Sequence, residues 1–395
     1  MDKKVTLKKS ARLSGRCDHP WIYRSQIEKL SGDPLPGDLV GIFGKRGFVG
    51  VGYYNPRSEI TIRLLSAAPT AIDKEFFKRK IQKAVRYREL AVKETNACRL
   101  IASEADGLPG FIVDRYGEVL VVQFLTMGME RLRPPVLEAL KEVIPFKGIY
   151  ERSDTALRSK EGLEAKKGWI EPMRGEETII QEGNIRYGVR FEAGQKTGLY
   201  LDQRENRLEF GKWGFKGEVL DAFCYEGGFA LHLALAGCRA LGIDSSEEAV
   251  KQAEKNRELN GIAEEACVFK AGNIFDELRR MEREAKRFDL VVLDPPSFVK
   301  SKEALEGALK GYKEIILRSM KLLKQEGFLA VFSCSYHVDD NLLMQVSQSA
   351  AWDVRKRLRV VRFLKQSADH PIDPFIPETY YLKGFLFWVG SIDSL

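Results

Sequence analysis

The 395-residue sequence predicts an α/β chain whose C-terminal half is a doubly wound parallel sheet, preceded by a small β-barrel and a central α+β region. Three observations predict it. Between residues 218 and 244 a β-rich apolar run closes on Asp221, passes through Gly227-Gly228 into a helix-like run over 229–236, and returns as a strand ending in Asp244. Residues 5–66 hold short strand-like runs separated by turns at Pro36-Gly37-Asp38, Gly44 to Gly47 and Asn55-Pro56. Two later apolar strands, 290–294 and 328–334, each end in polar residues, where a doubly wound sheet opens its ligand crevice.

Length and composition bound the rest. A chain this long exceeds one typical domain and has room for two or three cores. With 44% hydrophobic and 30% charged residues it reads as an ordinary soluble protein, and no run approaches the roughly 20 apolar residues of a membrane span. Met1-Asp-Lys-Lys lacks the apolar stretch of a secretory signal, so the expected location is cytoplasmic. The six cysteines (17, 98, 224, 238, 267 and 334) are scattered, with no C-x-x-C and no histidine at ligand spacing. We expect thiols in a reducing compartment and no metal. Residues 1–72 carry 12 Lys+Arg against 6 Asp+Glu, while residues 191–395 carry 29 against 31. A polyanion-facing surface is therefore expected mainly in the first segment.

In chain order, residues 5–8, 39–43, 48–53 and 60–65 read as the barrel strands. His19-Pro-Trp-Ile-Tyr-Arg places aromatics beside a base, as a surface that stacks on nucleotides would, although Trp21 and Tyr23 also suit a core. From residue 73, Phe77, Ile81, Ala84, Val85, Ala91 and Val92 recur at helical spacing and predict a helix over 73–94. Strands at 110–114 and 119–124 form a hairpin at Tyr116-Gly117, followed by a helix over 134–143 and a strand at 148–151. The expected divisions are 1–72, 73–190 and 191–395.

The chemistry sits in the last of these. The turn after Asp221 is not G-x-G-x-x-G, so a dinucleotide pyrophosphate is poorly supported, whereas Asp244, 23 positions on, suits a ribose diol. Ser245-Ser-Glu-Glu has the S-x-x-E form of a capping box and predicts a helix starting at Ser245 and running to about residue 260. Asn273 closes a further strand. Asp294-Pro-Pro-Ser-Phe follows an apolar strand, and its two prolines stop the strand with the carboxylate held in the crevice. Cys334 stands at the exit of a buried strand, whereas Cys224, Cys238 and Cys267 read as small core hydrophobes. Carbon 5 of cytosine becomes nucleophilic only when something adds to carbon 6, and a thiolate does this. Such a thiol, with an ordinary pKa of about 8.5, needs an electropositive setting. His337 and Arg204 are the candidates.

The turn and Asp244 resemble the first two motifs of class I S-adenosylmethionine-dependent methyltransferases, and residues 36–65 resemble a PUA domain, a small RNA-binding barrel. The set G-Q-K-T-G-L-Y-L-D-Q-R (194–204), D-A-F-C-Y-E-G-G-F (221–229), L-D-P-P-S-F-V-K-S-K (293–302), F-S-C-S-Y-H-V (332–338) and D-H-P (369–371) resembles the ribosomal RNA large subunit methyltransferase I family, over essentially the whole chain. This implies a Rossmann-like methyltransferase domain behind a PUA-like barrel, with S-adenosylmethionine as cofactor and ribosomal RNA as partner. It further implies Cys334 as nucleophile and Asp294 as acid or hydrogen-bond donor to the base. Tyr200, Arg204, Asp221, Phe223, Gly227, Gly228, Asp244, Ser245, Asn273 and Asp294 are the implied cofactor contacts. Lys196 is a further candidate in the 194–204 segment. Ser297 stands where many RNA cytosine methyltransferases carry a second cysteine, and Asn273 where relatives usually carry Asp. The D-H-P stretch implies a cleft-edge loop. Two other readings stay open: a guanine-nitrogen methyltransferase using D-P-P-S-F without a thiol, and a noncatalytic RNA-binding factor. The oligomeric state is open, with a homodimer as the candidate.

Overall fold

A computed structural model describes residues 2–11, 19–173, 177–191, 199–298 and 304–391. The chain forms two compact units: residues 1–180, 189–198 and 368–379 make the first, and residues 181–188, 199–367 and 380–395 the second.

The first unit contains two sheets. A six-stranded sheet holds the expected barrel strands, Lys4–Leu7, Leu39–Gly44, Gly47–Tyr54 and Ile62–Ser66, with two short strands that lack any alternating signal, Trp21–Ile22 and Ile27–Ser31. A five-stranded sheet runs from Ala97–Ala102 to Lys166–Glu171, covered by the helices Lys74–Ala91 and Arg133–Val143. The two sheets share a core. Tyr53 and Leu65 pack with Phe76, Phe77, Phe111, Val122 and Leu140, all essentially removed from water. The Tyr53 hydroxyl donates to Pro109 O at 2.9 Å, and buried Arg63 pairs with Glu161 at 2.8 Å. Burial of each such aliphatic or aromatic side chain contributes about 1.5–3 kcal/mol.

The D-H-P stretch also belongs to this unit. Asp369 accepts from the Arg99 backbone N–H at 2.8 Å, and its carbonyl accepts from Arg88 at 2.9 Å. Arg88 in turn holds Asp106 through two bonds of 2.6 and 2.8 Å. Asp369 and His370 are buried in the first unit.

The second unit is a seven-stranded sheet flanked by helices, and its elements are numbered here from its own start: α1 (Arg204–Lys212), β1 (Gly217–Ala222), α2 (Gly228–Leu235), β2 (Cys238–Asp244), α3 (Glu247–Leu259), β3 (Cys267–Ala271), α4 (Ile274–Arg283), β4 (Phe288–Leu293), α5 (Leu305–Leu322), β5 (Leu323–Ser333), α6 (Asp340–Asp353), β6 (Lys356–Lys365) and β7 (Lys383–Ser391). Their spatial order is β3-β2-β1-β4-β5-β7-β6. Strands β1 to β5 are parallel, and β7 enters antiparallel to both β5 and β6. The order reverses between β1 and β4, so the crevice lies beyond their carboxyl ends. Leu220, Val291, Val292, Leu293, Leu329 and Val331 are fully buried, as continuous apolar strands covered on both faces must be.

Helix α3 starts one residue later than the capping box predicts. The Asp244 Oδ1 accepts from Ser246 N–H at 2.9 Å, which keeps residue 245 in the loop, and Ser246 is the cap, its hydroxyl accepting from Ala249 N–H at 3.2 Å. Ser245 is exposed.

Candidate active site

The site is built from strand ends. Asp221, the penultimate residue of β1, is 1% exposed. Its Oδ2 accepts from Ala230 N–H at 2.9 Å in the first turn of α2, while Oδ1 is buried with no partner among the described residues. Burial, with Asp294 and Asp244 adding charge nearby, pushes its carboxyl up to about 7. A carboxylate kept in this condition costs stability unless something cationic is to meet it.

Beyond Ala222 the backbone is left-handed at alternate residues: Phe223 (φ 67°), Tyr225 (φ 49°) and Gly227 (φ 85°). Two are aromatic, and each such residue costs on the order of 1–3 kcal/mol, a strain that concentrates at functional sites. Tyr225 N–H donates to Asp244 Oδ2 at 2.9 Å and locks the turn to the end of β2. The glycines face the protein itself. A Cβ on Gly227 would sit 2.6 Å from the Phe269 ring, one on Gly242 2.5 Å from the same ring, and one on Gly228 2.7 Å from Arg207 Cδ.

Both Asp244 oxygens accept one backbone N–H, from Tyr225 and Ser246, which fixes the carboxylate and leaves a lone pair on each for a vicinal diol. Asn273 caps α4: its Oδ1 accepts from Phe275 N–H at 3.0 Å and Asp276 N–H at 3.4 Å. With the carbonyl committed to the helix, the amide turns its NH₂ outward. That NH₂ is the part of the side chain able to meet a purine edge, as a donor.

The ends of β4 and β5 carry the remaining predicted groups. Asp294 follows β4, its N–H donating to Ala222 O at 3.4 Å, and Cys334 follows β5. Because β1, β4 and β5 are parallel neighbours, Cys334 leaves the sheet at the same edge as the Gly227-Gly228 turn. The two loops are stitched together by Ser297 and Ser335, whose hydroxyls lie 2.8 Å apart. Tyr312 on α5 donates to Ser333 Oγ at 3.0 Å, and Ser333 Oγ accepts from Ser335 N–H at 3.3 Å. Phe298 packs its ring among Phe223, Phe275 and Tyr312, anchoring the D-P-P-S-F loop.

Tyr200 completes the cluster. Burial, then the charges of Asp294, Asp202, Cys334 and Asp244, push its phenol above the usual range, and its ring meets that of Tyr225 edge-on at 5.0 Å between centroids. Its carbonyl accepts from Arg207 Nη1 at 2.9 Å. Arg207 is held by Glu182 through bonds of 2.7 and 2.6 Å, and His232 meets the same carboxylate at 3.0 Å. Burial alone would raise Glu182, but Arg207 and His232 overcome it and hold the carboxyl at about 2.

Arg204 is fully buried at the start of α1, its guanidinium reaching Glu205 at 3.3 Å, and His337 is exposed against Tyr336. Gln195 and Lys196 lie outside the described residues. A group that sequence reasoning missed is Lys383, the first residue of β7, buried beside the Cys334 loop. Its signal was a single basic residue inside the apolar run Y-Y-L-K-G-F-L-F-W-V (380–389). Cys224, Cys238 and Cys267 are buried, and burial raises each of these thiols.

In the first unit the His19-Pro-Trp-Ile-Tyr-Arg stretch divides. Trp21 donates its indole N–H to Glu104 at 3.0 Å and His19 meets Glu378 at 2.7 Å. Tyr23 is 41% exposed and lines an open groove with Arg24 and Arg57.

Comparison with known proteins follows the same division. Residues 5–67 match the family described as PUA-like domain, and residues 216–371 match that described as methyltransferase domain. Ribosomal RNA large subunit methyltransferase I of Tolumonas auensis is 39% identical over 98% of this chain and 99% of its own length, and that of Vibrio cholerae 38% identical over the same shares. The chain belongs to the ribosomal RNA large subunit methyltransferase I family. Among solved structures, a Streptococcus mutans protein described as a provisional SAM-dependent methyltransferase superposes with a TM-score of 0.83 at 20% identity, covering 98% of this chain and 99% of its own. The M. jannaschii tRNA m1G37 methyltransferase shares the fold at a TM-score of 0.52 and 15% identity, over 80% of this chain and 78% of its own. The architecture is therefore neutral as to the acceptor atom. The cofactor that goes with this fold and family is S-adenosylmethionine, and the residues fit it. Asp244 is set for a diol and Asn273 for a purine edge, while the orphaned Asp221 Oδ1 is set for a cation.

Proposed function

We propose that this chain methylates carbon 5 of a cytosine in large-subunit (23S) ribosomal RNA, using S-adenosylmethionine and a covalent bond to Cys334. The observation that carries the reading is the pairing of Cys334 with Asp294 on the carboxyl ends of adjacent parallel strands, their loops joined by Ser297 and Ser335. S-adenosylmethionine, when bound, supplies an electrophilic methyl group. Asp244 accepts from the ribose hydroxyls, and Asp221 faces the cationic end. The Cys334 sulfur, as thiolate, forms a bond to carbon 6, and the electron pair of the carbon 5–carbon 6 bond becomes available at carbon 5. Asp294 donates a hydrogen bond to the base edge and neutralises the negative charge that develops there. After methylation carbon 5 loses its proton to a base, the double bond re-forms, and the sulfur departs as thiolate. Ser297 occupies the place of a second cysteine, so product release does not use one. A paired cytosine must be unstacked to reach this crevice.

Residues 1–72 are read as the RNA-binding segment, with Tyr23, Arg24 and Arg57 as the stacking and phosphate-contacting surface. Residues 73–190 support it and residues 191–395 carry the chemistry. RNA methylated with labelled cofactor, digested and analysed by mass spectrometry, is expected to yield 5-methylcytidine. Label in a guanine, or full activity after Cys334→Ala, would refute the reading.

A further inference from the structure

Lys383 is 4% exposed, and its ammonium group has only neutral partners in reach: Ser335 O at 3.4 Å, Tyr381 O at 3.3 Å, and the Tyr380 ring, 5.4 Å to its centroid. No carboxylate lies within 4 Å of it among the described residues. A buried ammonium in that condition is poised for an anion. Two long carbonyl contacts do not repay its desolvation. Its place is fixed by the sheet, since Lys383 pairs in register with Ser333 on β5, the residue before Cys334, and donates to the carbonyl of Ser335, the residue after it. Burial lowers its pKa, and Asp340, Asp339 and Cys334 act against that. The other charged neighbour in register is Lys365 on β6, which is exposed. A thiolate at the end of β5 is favoured by a cation beside it.

We propose that Lys383 is the positioning residue that holds Cys334 as a thiolate. The thiol proton passes to solvent, Lys383 keeps all of its own, and the ion pair so formed presents the sulfur to carbon 6. This rests on the reading of Cys334 as nucleophile, but the test measures the sulfur directly. Iodoacetamide alkylation of Cys334 in the full-length protein, followed across pH by mass spectrometry of the Cys334 peptide, gives the thiol midpoint without any methyl transfer.

Lys383→Met is expected to raise that midpoint by about one unit or more and to lower kcat/KM at pH 7 by roughly tenfold, with partial recovery at pH 9. Lys383→Arg is expected to restore both. An unmoved midpoint in a folded Lys383→Met protein overturns the proposal. So does Lys383→Arg with an unchanged midpoint, no turnover and a trapped RNA adduct, which would instead make Lys383 the base that removes the carbon 5 proton. An active Cys334→Ala protein would sink the nucleophile reading whatever the midpoint does.

Discussion

Two cysteines in this chain leave parallel strands at the same edge of one sheet, and they have opposite surroundings. Cys224, two residues past β1, is 5% exposed, its backbone N–H donating to Ile243 O at 3.0 Å and its sulfur turned toward Tyr225 O at 3.7 Å. Burial and the nearby Asp221 and Asp244 raise its thiol far above the ordinary value. Cys334, directly past β5, is half-buried and has a buried ammonium in the adjoining strand. The contrast teaches that strand-end position does not by itself make a nucleophile. The β1 end carries the backbone strain, and in the proposed reaction the β5 end presents the reactive atom.

The largest expected effect tests that contrast head on. Cys334→Ala should lower methyl transfer by at least about a thousandfold while leaving cofactor affinity within a few fold, whereas Cys224→Ala should stay within a few fold of wild type in rate. Parallel single-turnover assays decide it, and equal losses in both variants would erase the distinction. Next in size, Asp294→Asn should cost roughly 10²–10³ in kcat with the circular dichroism spectrum unchanged, because the amide cannot deliver a proton.

A variant at the β1 end should behave in the opposite way. Asp221→Asn is expected to weaken S-adenosylmethionine binding by roughly tenfold or more in calorimetry, yet to make the apoprotein more stable. Because the folded carboxyl titrates at about 7 rather than near 3.9, the native state holds the proton more tightly than the unfolded chain. The wild-type stability from this group is complete below about pH 4 and is lost as pH rises through about 7. The advantage of Asn should therefore grow between those limits and level off above them, reaching roughly 1–3 kcal/mol in denaturant titrations. Cofactor affinity of the wild type should rise over the same interval, since the cation needs the carboxylate. The smallest effect is Ser246→Ala, expected to cost about 1 kcal/mol as loss of a cap, against near zero for Ser245→Ala.

Much of the second unit was legible because its signals are local. Apolar runs set β1, β4 and β5, prolines stopped the chain after Asp294, and each polar residue named at a strand end does stand at the carboxyl edge. What could not be read depends on partners distant in sequence. Lys383 acquires meaning only when β7 lies antiparallel to β5, and Asp369 only when Arg99 is beside it. The left-handed conformations of Phe223 and Tyr225 go against their own propensities, so no reading of residue preference would place them there. The bond from the Trp21 indole N–H to Glu104 likewise joins residues far apart in sequence.

The Phe269 ring, wedged beneath Gly227 and Gly242, has an evolutionary corollary. If glycine at these positions makes room for an aromatic neighbour on β3 rather than for a ligand, the three sites should vary as a set. Homologues with a small residue at the position of Phe269 should be released from the glycine requirement at 242. Searches for this cofactor class that score glycine spacing alone would then overlook them.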